Sequence, residues 1–410
     1  MSIPLANFFG LLGGLLVLAY VANRFSHWTR VPDVVVLLGC GILLGPVLHW
    51  INAAEFPRIT RGVGTLALIL ILFAAGLELD LRRARRQFVA GTVLAVLSYG
   101  LTMEGVHLFC THVLGMSRMA SLLAGAVLAC VSGSIALPVL EQLELREELR
   151  TTLVIESSFG DGLGALVVGV LVSLAGGGAT SHTSGGAILG GMVTQFVYRF
   201  LLAFVIAAVA GFLWARLLPR ISNQKFWQVL TFAAVLIVYS GVHAAGGSEL
   251  FAVMVFGATL ASLLGPQSFL REFEVEFNAK DEGSQIHSFH SELAFLVRSF
   301  FFVLLGAMIQ FRGLREQMLP SVGILAVFLV ARFVSVNVSR VAWRGTSARE
   351  RELATLLIPR GLITAVLALE AIEAMPVDLM FFPSLTFGLI LLTNALALVA
   401  TVRAKGIAAG

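Results

Sequence analysis

The 410 residues are 58% hydrophobic and 13% charged, with a formal net charge of +4. Apolar runs recur from one end of the chain to the other, which excludes a soluble globular domain and describes an all-α polytopic membrane protein. Cys40, Cys110 and Cys130 all fall in or beside apolar runs and read as small buried hydrophobes, not as a disulfide or metal site.

No Lys or Arg precedes Arg24, so residues 5–24 are expected to form a true first membrane helix and not a signal peptide. Further apolar segments follow at 34–50, 63–80, 88–112, 119–140, 151–175, 188–217, 226–245, 249–265, 291–311, 318–339, 350–373 and 379–402. Each is near the ~20 residues that a spanning helix needs. Thirteen spans put the termini on opposite sides, and alternate loops then separate all but four of the 28 basic residues. One set holds most of them, from Arg24 and Arg30 through Arg82–Arg86 to Arg403 and Lys405; the other holds only Arg58, Arg61, Arg118, Arg312 and Arg315. The positive-inside rule makes the first set cytoplasmic, with the N-terminus outside and the C-terminus inside. The short tails point to a bacterial cytoplasmic membrane and to no appended soluble domain.

Four basic residues lie within apolar segments. Arg199 is expected to snorkel, Arg298 to snorkel or pair with Glu292, and the deeper Arg332 and Arg360 to need partners. Glu78 and Asp80 read as a solvated cluster with Arg82 and Arg83. Glu104 and His107 are one turn apart and placed to meet, and Glu370 reads as a water-facing rim residue. Residues 176–187 read as a flexible outer loop. Residues 266–290 read as an interfacial or disordered cytoplasmic loop closed by solvated His287 and His290.

The sixth span, TTLVIESSFGDGLGALVVGVLVSLA, carries Glu156 and Asp161 near its middle. A charge at that depth costs at least about 2.5–3.5 kcal/mol, so function is the default reading. Asp161 stands one helical turn from Ser157 and Ser158, whereas Glu156 lies about 140° around the helix. The two acids therefore face different partners. Gly160, Gly162 and Gly164 leave room for another backbone or an ion.

Two spans are interrupted. The fifth reads ACVSGSIALPVLEQL, with Ser132, Gly133 and Ser134 at mid-depth; the twelfth reads LLIPRGLITAVLAL, with Pro359 and Gly361 flanking Arg360. Breaks that free backbone groups are tolerated in a membrane only inside protein or along a cavity. One break in each half points to a transporter of inverted repeats with its site where two discontinuous helices cross.

In this order, GLELDL at 76–81, SGSIALPVLEQL, ESSFGDG at 156–162, SELAFLVRSFFFVLLGAMI at 291–309, the Arg332 segment and PRGLITAVLAL resemble the monovalent cation:proton antiporters, including the sodium/hydrogen exchangers. The resemblance implies that Asp161 binds cation or proton, that Ser157 is an oxygen ligand, that Glu156 pairs with Arg332, and that Arg360 belongs to the second break. It implies a homodimer built of a core and a panel: 1–87 and 218–317 on the dimer side, 88–175 and 318–402 as two core halves, 176–217 as linker, and 403–410 as a short cytoplasmic tail. Two positions depart from the pattern. Val131-Ser132-Gly133 stands where the exchangers usually have Thr-Asp-Pro, and Gly160 where they have Asn or a second Asp. Ser132, Ser134, Ser157 and the carbonyl of Val131 are then the remaining oxygens for a hard cation, Na⁺, K⁺ or Li⁺.

Proton and cation would compete for Asp161, and with Glu156 tied to Arg332 the exchange is expected to be electroneutral. Three other functions are weighed. An intramembrane aspartyl protease would need a second mid-membrane Asp, which is absent from the sequence. A sodium-coupled organic-anion transporter would use Arg360 for its substrate, and a transport-impaired regulatory relative would explain the departures at Ser132 and Gly160. No glycine-rich phosphate loop or Cys/His cluster calls for a cofactor, an enzymatic activity or nucleic acid.

Overall fold

A computed structural model describes residues 5–29, 33–50, 57–78, 85–140, 143, 145–176, 185–221, 226–264, 279–307, 315–339 and 346–405. The first half holds α1 (Leu5–Thr29), α2 (Asp33–Ile42, continued by a π-helical turn Leu43–Val47), α3 (Pro57–Glu78), α4 (Arg85–His112), α5 (Arg118–Ala129), α6 (Gly133–Leu140) and α7 (Glu147–Gly176). A long helix, α8 (Gly185–Ile221), leads to α9 (Trp227–Ala244), α10 (Glu249–Leu264), α11 (Ala279–Ala307), α12 (Met318–Ser339), α13 (Ala348–Leu356), α14 (Leu362–Ala374) and α15 (Phe382–Lys405). Each of the thirteen apolar segments is occupied by helix. The fifth is divided into α5 and α6 and the twelfth into α13 and α14. Among the described residues, six helices are by themselves long and apolar enough to cross a membrane: α4, α7, α8, α9, α12 and α15.

The breaks follow from local chemistry. Cys130 is already extended (φ −63°, ψ 127°) after Ala129. The carbonyl of Ser132 then accepts from the N–H groups of Ile135 and Ala136, which starts α6. In the second break Pro359 has no N–H to give and biases Ile358 away from helical torsions. Leu357 leaves the helix at φ −83°, ψ 80°.

The halves are inverted repeats. The α1–α7 order is matched by α9–α15, with α8 between them. The packing obeys the exchange: α3 lies on α10 as α2 lies on α11, while α4 meets α12 and α3 meets α11 across the axis. Glycines mark the two equivalent seams. A Cβ at Gly41 would meet the carbonyl of Val303 and the Cα of Gly306 (2.8 Å), and a Cβ at Gly76 would meet the carbonyl of Met254 and the Cα of Gly257 (3.1 Å). Backbone cannot yield as a side-chain end can. Gly76→Ala and Gly257→Ala are therefore each expected to lower stability by about 1–3 kcal/mol, the usual cost of overpacking. Gly169→Ala, where a Cβ meets nothing within 4 Å, serves as the neutral comparison in detergent thermal unfolding.

One expectation is corrected. Residues 279–290 are not loop: they are the first three turns of α11, which begins well before the apolar segment. His290 is not solvated but fully buried, 4.9 Å from the Phe73 ring and 5.2 Å from that of Phe289. Hydropathy marks membrane depth, and a helix can continue beyond it. The side chains of Glu78 and His287, residues 80–83, 177–184 and 266–278 lie outside the described residues.

Candidate ion-binding site

The site forms where the two broken helices cross. The N–H of Ser132 donates to the carbonyl of Pro359 at 2.9 Å, so the extended segments join backbone to backbone. A Cβ on Gly361 would strike Ser132 and Ile135, so glycine is required for this close approach. Beside the crossing, α7 presents its polar face. Asp161, Ser157 and Ser158 are all buried.

Asp161 Oδ2 accepts from the N–H of Gly133 at 3.3 Å, at the start of α6. The amide end of a helix favours an anion there. Asp161 Oδ1 is buried and without a hydrogen-bond partner among the described residues, as is Ser158 Oγ. A buried carboxylate oxygen left in that state calls for a proton or a cation. Ser157 Oγ faces the same turn of α6, 3.5 Å from where a Cβ of Gly133 would stand, and donates to the carbonyl of Val154 at 3.0 Å. Val131 and Ser132 are buried in the first break. The side chain of Ser134 lies outside the described residues.

Glu156 faces away from this cluster. Arg332 on α12 grips both of its carboxylate oxygens, Nη1 to Oε1 and Nη2 to Oε2, the latter at 2.8 Å. Arg332 Nε also donates to the carbonyl of Ala354 at 2.9 Å, near the end of α13, and Nη1 to Ser98 Oγ at 3.3 Å. Arg360 Nη1 donates to the carbonyl of Cys130 at 2.7 Å, and its guanidinium lies 4.4 Å from the centre of the Phe328 ring. Each arginine thus takes up a carbonyl that a helix end leaves unbonded.

Two residues of the crossing escaped the sequence reading. On α15, Thr393 Oγ1 accepts from the N–H of Arg360 (3.1 Å), and Asn394 Nδ2 donates to the carbonyl of Arg360 (2.9 Å). Their signal is slight: an adjacent polar pair in the run LILLTNALALV.

Three of the other polar side chains singled out in the spans have local contacts. Arg199 Nη2 donates to Ser173 Oγ at 2.8 Å, and Arg298 stacks over Phe295 at 5.9 Å. His107 meets Ser121 Oγ at 2.8 Å, while Glu104, one turn away, is exposed. Gly160 is buried, yet a Cβ there would meet nothing within 4 Å. The departure at this position therefore leaves open space next to Asp161.

The sequence profile of the family described as sodium/hydrogen exchanger, transmembrane, matches residues 13–403. Among curated relatives, the Na(+)/H(+) antiporter 1 of Methanocaldococcus jannaschii is 25% identical over 378 residues, covering 88% of this chain and 82% of the relative. The K(+)/H(+) antiporter NhaP of Alkalimonas amylolytica is 23% identical over 364 residues, covering 87% of this chain and 59% of its own. Among solved structures, the sodium proton antiporter MjNhaP1 from M. jannaschii superimposes with a TM-score of 0.80 at 23% identity, covering 97% of each chain. The fold is therefore that of the sodium/proton antiporters, and the chain belongs to the sodium/hydrogen exchanger family.

Proposed function

We propose that the protein exchanges a monovalent cation for protons by alternating access, with Asp161 binding either one. The observation that carries this reading is Asp161 itself. It is a buried carboxylate at the crossing of two broken helices, with one oxygen held by the Gly133 N–H and the other without a protein partner among the described residues. Burial favours the protonated form and a bound cation favours the carboxylate, so each displaces the other. Relatives named as Na⁺/H⁺ and K⁺/H⁺ antiporters support the substrate class.

The same proposal assigns Ser157, Ser132, Ser134 and the carbonyl of Val131 as further oxygen ligands. Glu156 and Arg332 are a structural pair, and Arg360 stabilises the broken helices. With Glu156 held by Arg332, a single carboxylate carries one charge in each direction, and exchange is electroneutral. The working units are a core (88–175 and 318–402) and a dimer-forming panel (1–87 and 218–317), with 176–217 between them. The protein would sit as a homodimer in a bacterial cytoplasmic membrane, N-terminus outside and C-terminus inside, where the arginine-rich loops belong.

The test is a pH-gradient dequenching assay in proteoliposomes with Na⁺, K⁺ and Li⁺ pulses. A cation-dependent signal unchanged by collapse of the membrane potential is expected. Silence for all three cations with folded protein would overturn the reading, and a potential-driven current would overturn electroneutrality. The open space at Gly160 adds a prediction. Gly160→Asn should fold, since a Cβ at this position displaces nothing within 4 Å. By placing a carboxamide next to Asp161 it should lower the apparent KM for Na⁺, read in the same assay.

A further inference from the structure

α15 is the counterpart of α7 in the inverted repeat, and both helices bind the backbone of a break. On α7 the bond runs from the Gly133 N–H to Asp161. On α15 it is doubled: Thr393 accepts the N–H of Arg360 and Asn394 donates to its carbonyl. Both residues are fully buried. Thr393 Oγ1 also donates within its own helix, to the carbonyl of Leu389 at 2.7 Å, which leaves its lone pairs directed at the break. Asn394 Nδ2 reaches a second carbonyl, that of Ile390, at 2.7 Å. Two carbonyls on the amide nitrogen fix which way the carboxamide faces.

Arg360 is thereby held through both its backbone N–H and its carbonyl, and what it holds is the other break. Its guanidinium carries the carbonyl of Cys130 (2.7 Å), and its neighbour Pro359 accepts the N–H of Ser132 (2.9 Å). One residue further on, Gly133 gives its N–H to Asp161. A continuous set of hydrogen bonds thus runs from α15 through the second break into the first and ends on the carboxylate.

We infer that Thr393 and Asn394 are positioning residues for the cation site: they fix Arg360, and through it the first break that presents Gly133 to Asp161. The inference rests on the antiport reading only for its consequence in transport; the positioning itself is testable without it.

The experiment compares Thr393→Val and Asn394→Leu, each with the same side-chain skeleton as the residue replaced, with the parent and with Thr401→Val. Thr401 lies on the same helix and, among the described residues, bonds only within it, to the carbonyl of Leu398. Hydrogen–deuterium exchange of purified protein is expected to show faster uptake over residues 357–362 and also over 129–136 in both variants, with no change at either segment in Thr401→Val. Faster uptake at 357–362 with 129–136 unaltered would overturn the inference, since α15 would then serve the second break alone. In proteoliposomes the apparent cation KM should rise about tenfold, equivalent to about 1.4 kcal/mol, with the maximal rate retained, and Thr393→Ser should restore the parent values. An unchanged KM in a parent-active preparation also overturns the inference. A parent protein that exchanges no cation refutes antiport, and the exchange at 129–136 then still decides the positioning. Thr393→Val, which keeps the shape of the side chain, carries the comparison if Asn394→Leu does not fold.

Discussion

Asp161→Asn should abolish cation-dependent proton movement and leave the protein folded. The amide is nearly the same shape as the carboxyl, and its oxygen can still accept the N–H of Gly133 that Asp161 Oδ2 accepts at 3.3 Å. The geometry of the crossing is kept while the charge is lost. An amide neither takes up a proton in the accessible pH range nor neutralises a cation, so both half-reactions of the proposed exchange fail together. Ser157→Ala is expected to act differently. In the proposed site its hydroxyl is one neutral ligand, and a neutral hydrogen-bonding group contributes about 0.5–1.5 kcal/mol; the apparent KM should rise several-fold with exchange preserved. The dequenching assay reads both variants, and size-exclusion chromatography confirms their folded state. Asp161→Asn protein that still exchanges at the parent rate would remove Asp161 from the mechanism.

The parts of this arrangement that show in the sequence are those that a membrane makes expensive. Glu156, Asp161, Arg332 and Arg360 stand out because charges in apolar runs are rare and need partners. The two breaks stand out because Ser-Gly and Pro-Arg-Gly cannot continue a helix cheaply at that depth. Thr393 and Asn394 do not stand out. Both bond to carbonyls of their own helix, Leu389 and Ile390, as such side chains ordinarily do in apolar helices. That they also reach Arg360 depends on where α14 lies, which no local pattern encodes. The glycine seams are hidden for a related reason. Gly76 and Gly257 are 181 positions apart in the numbering, and nothing in either helix alone says that their backbones touch. The extension of α11 to Ala279 does not show in the sequence because its polar composition resembles that of a loop, whereas Lys, Asp, Glu and Gln are equally acceptable in a helix outside an apolar segment.

Removing one partner of the Glu156–Arg332 pair should be more damaging than removing both. Both side chains are almost wholly buried, and the guanidinium grips both carboxylate oxygens. Arg332→Ala would leave a charged carboxylate without its counter-ion and release the carbonyl of Ala354, which its Nε holds at 2.9 Å. Glu156→Ala would strand the guanidinium. Breaking a buried pair from one side costs about 3–5 kcal/mol, whereas exchanging both members for apolar residues of similar volume is often close to neutral. The double variant Glu156→Leu/Arg332→Met should therefore unfold nearer to the parent than either alanine variant does, short of it by the Ala354 and Ser98 bonds that Arg332 also makes. Thermal unfolding in detergent measures the order of the three. The double variant also tests the charge balance. If the pair serves only to join α7, α12 and the end of α13, its removal takes away as much positive as negative charge and leaves Asp161 as the one group that alternates between proton and cation. Exchange should then remain electroneutral at whatever rate survives. A double variant that folds but carries a potential-dependent current would show that Glu156 or Arg332 takes part in the transport cycle itself.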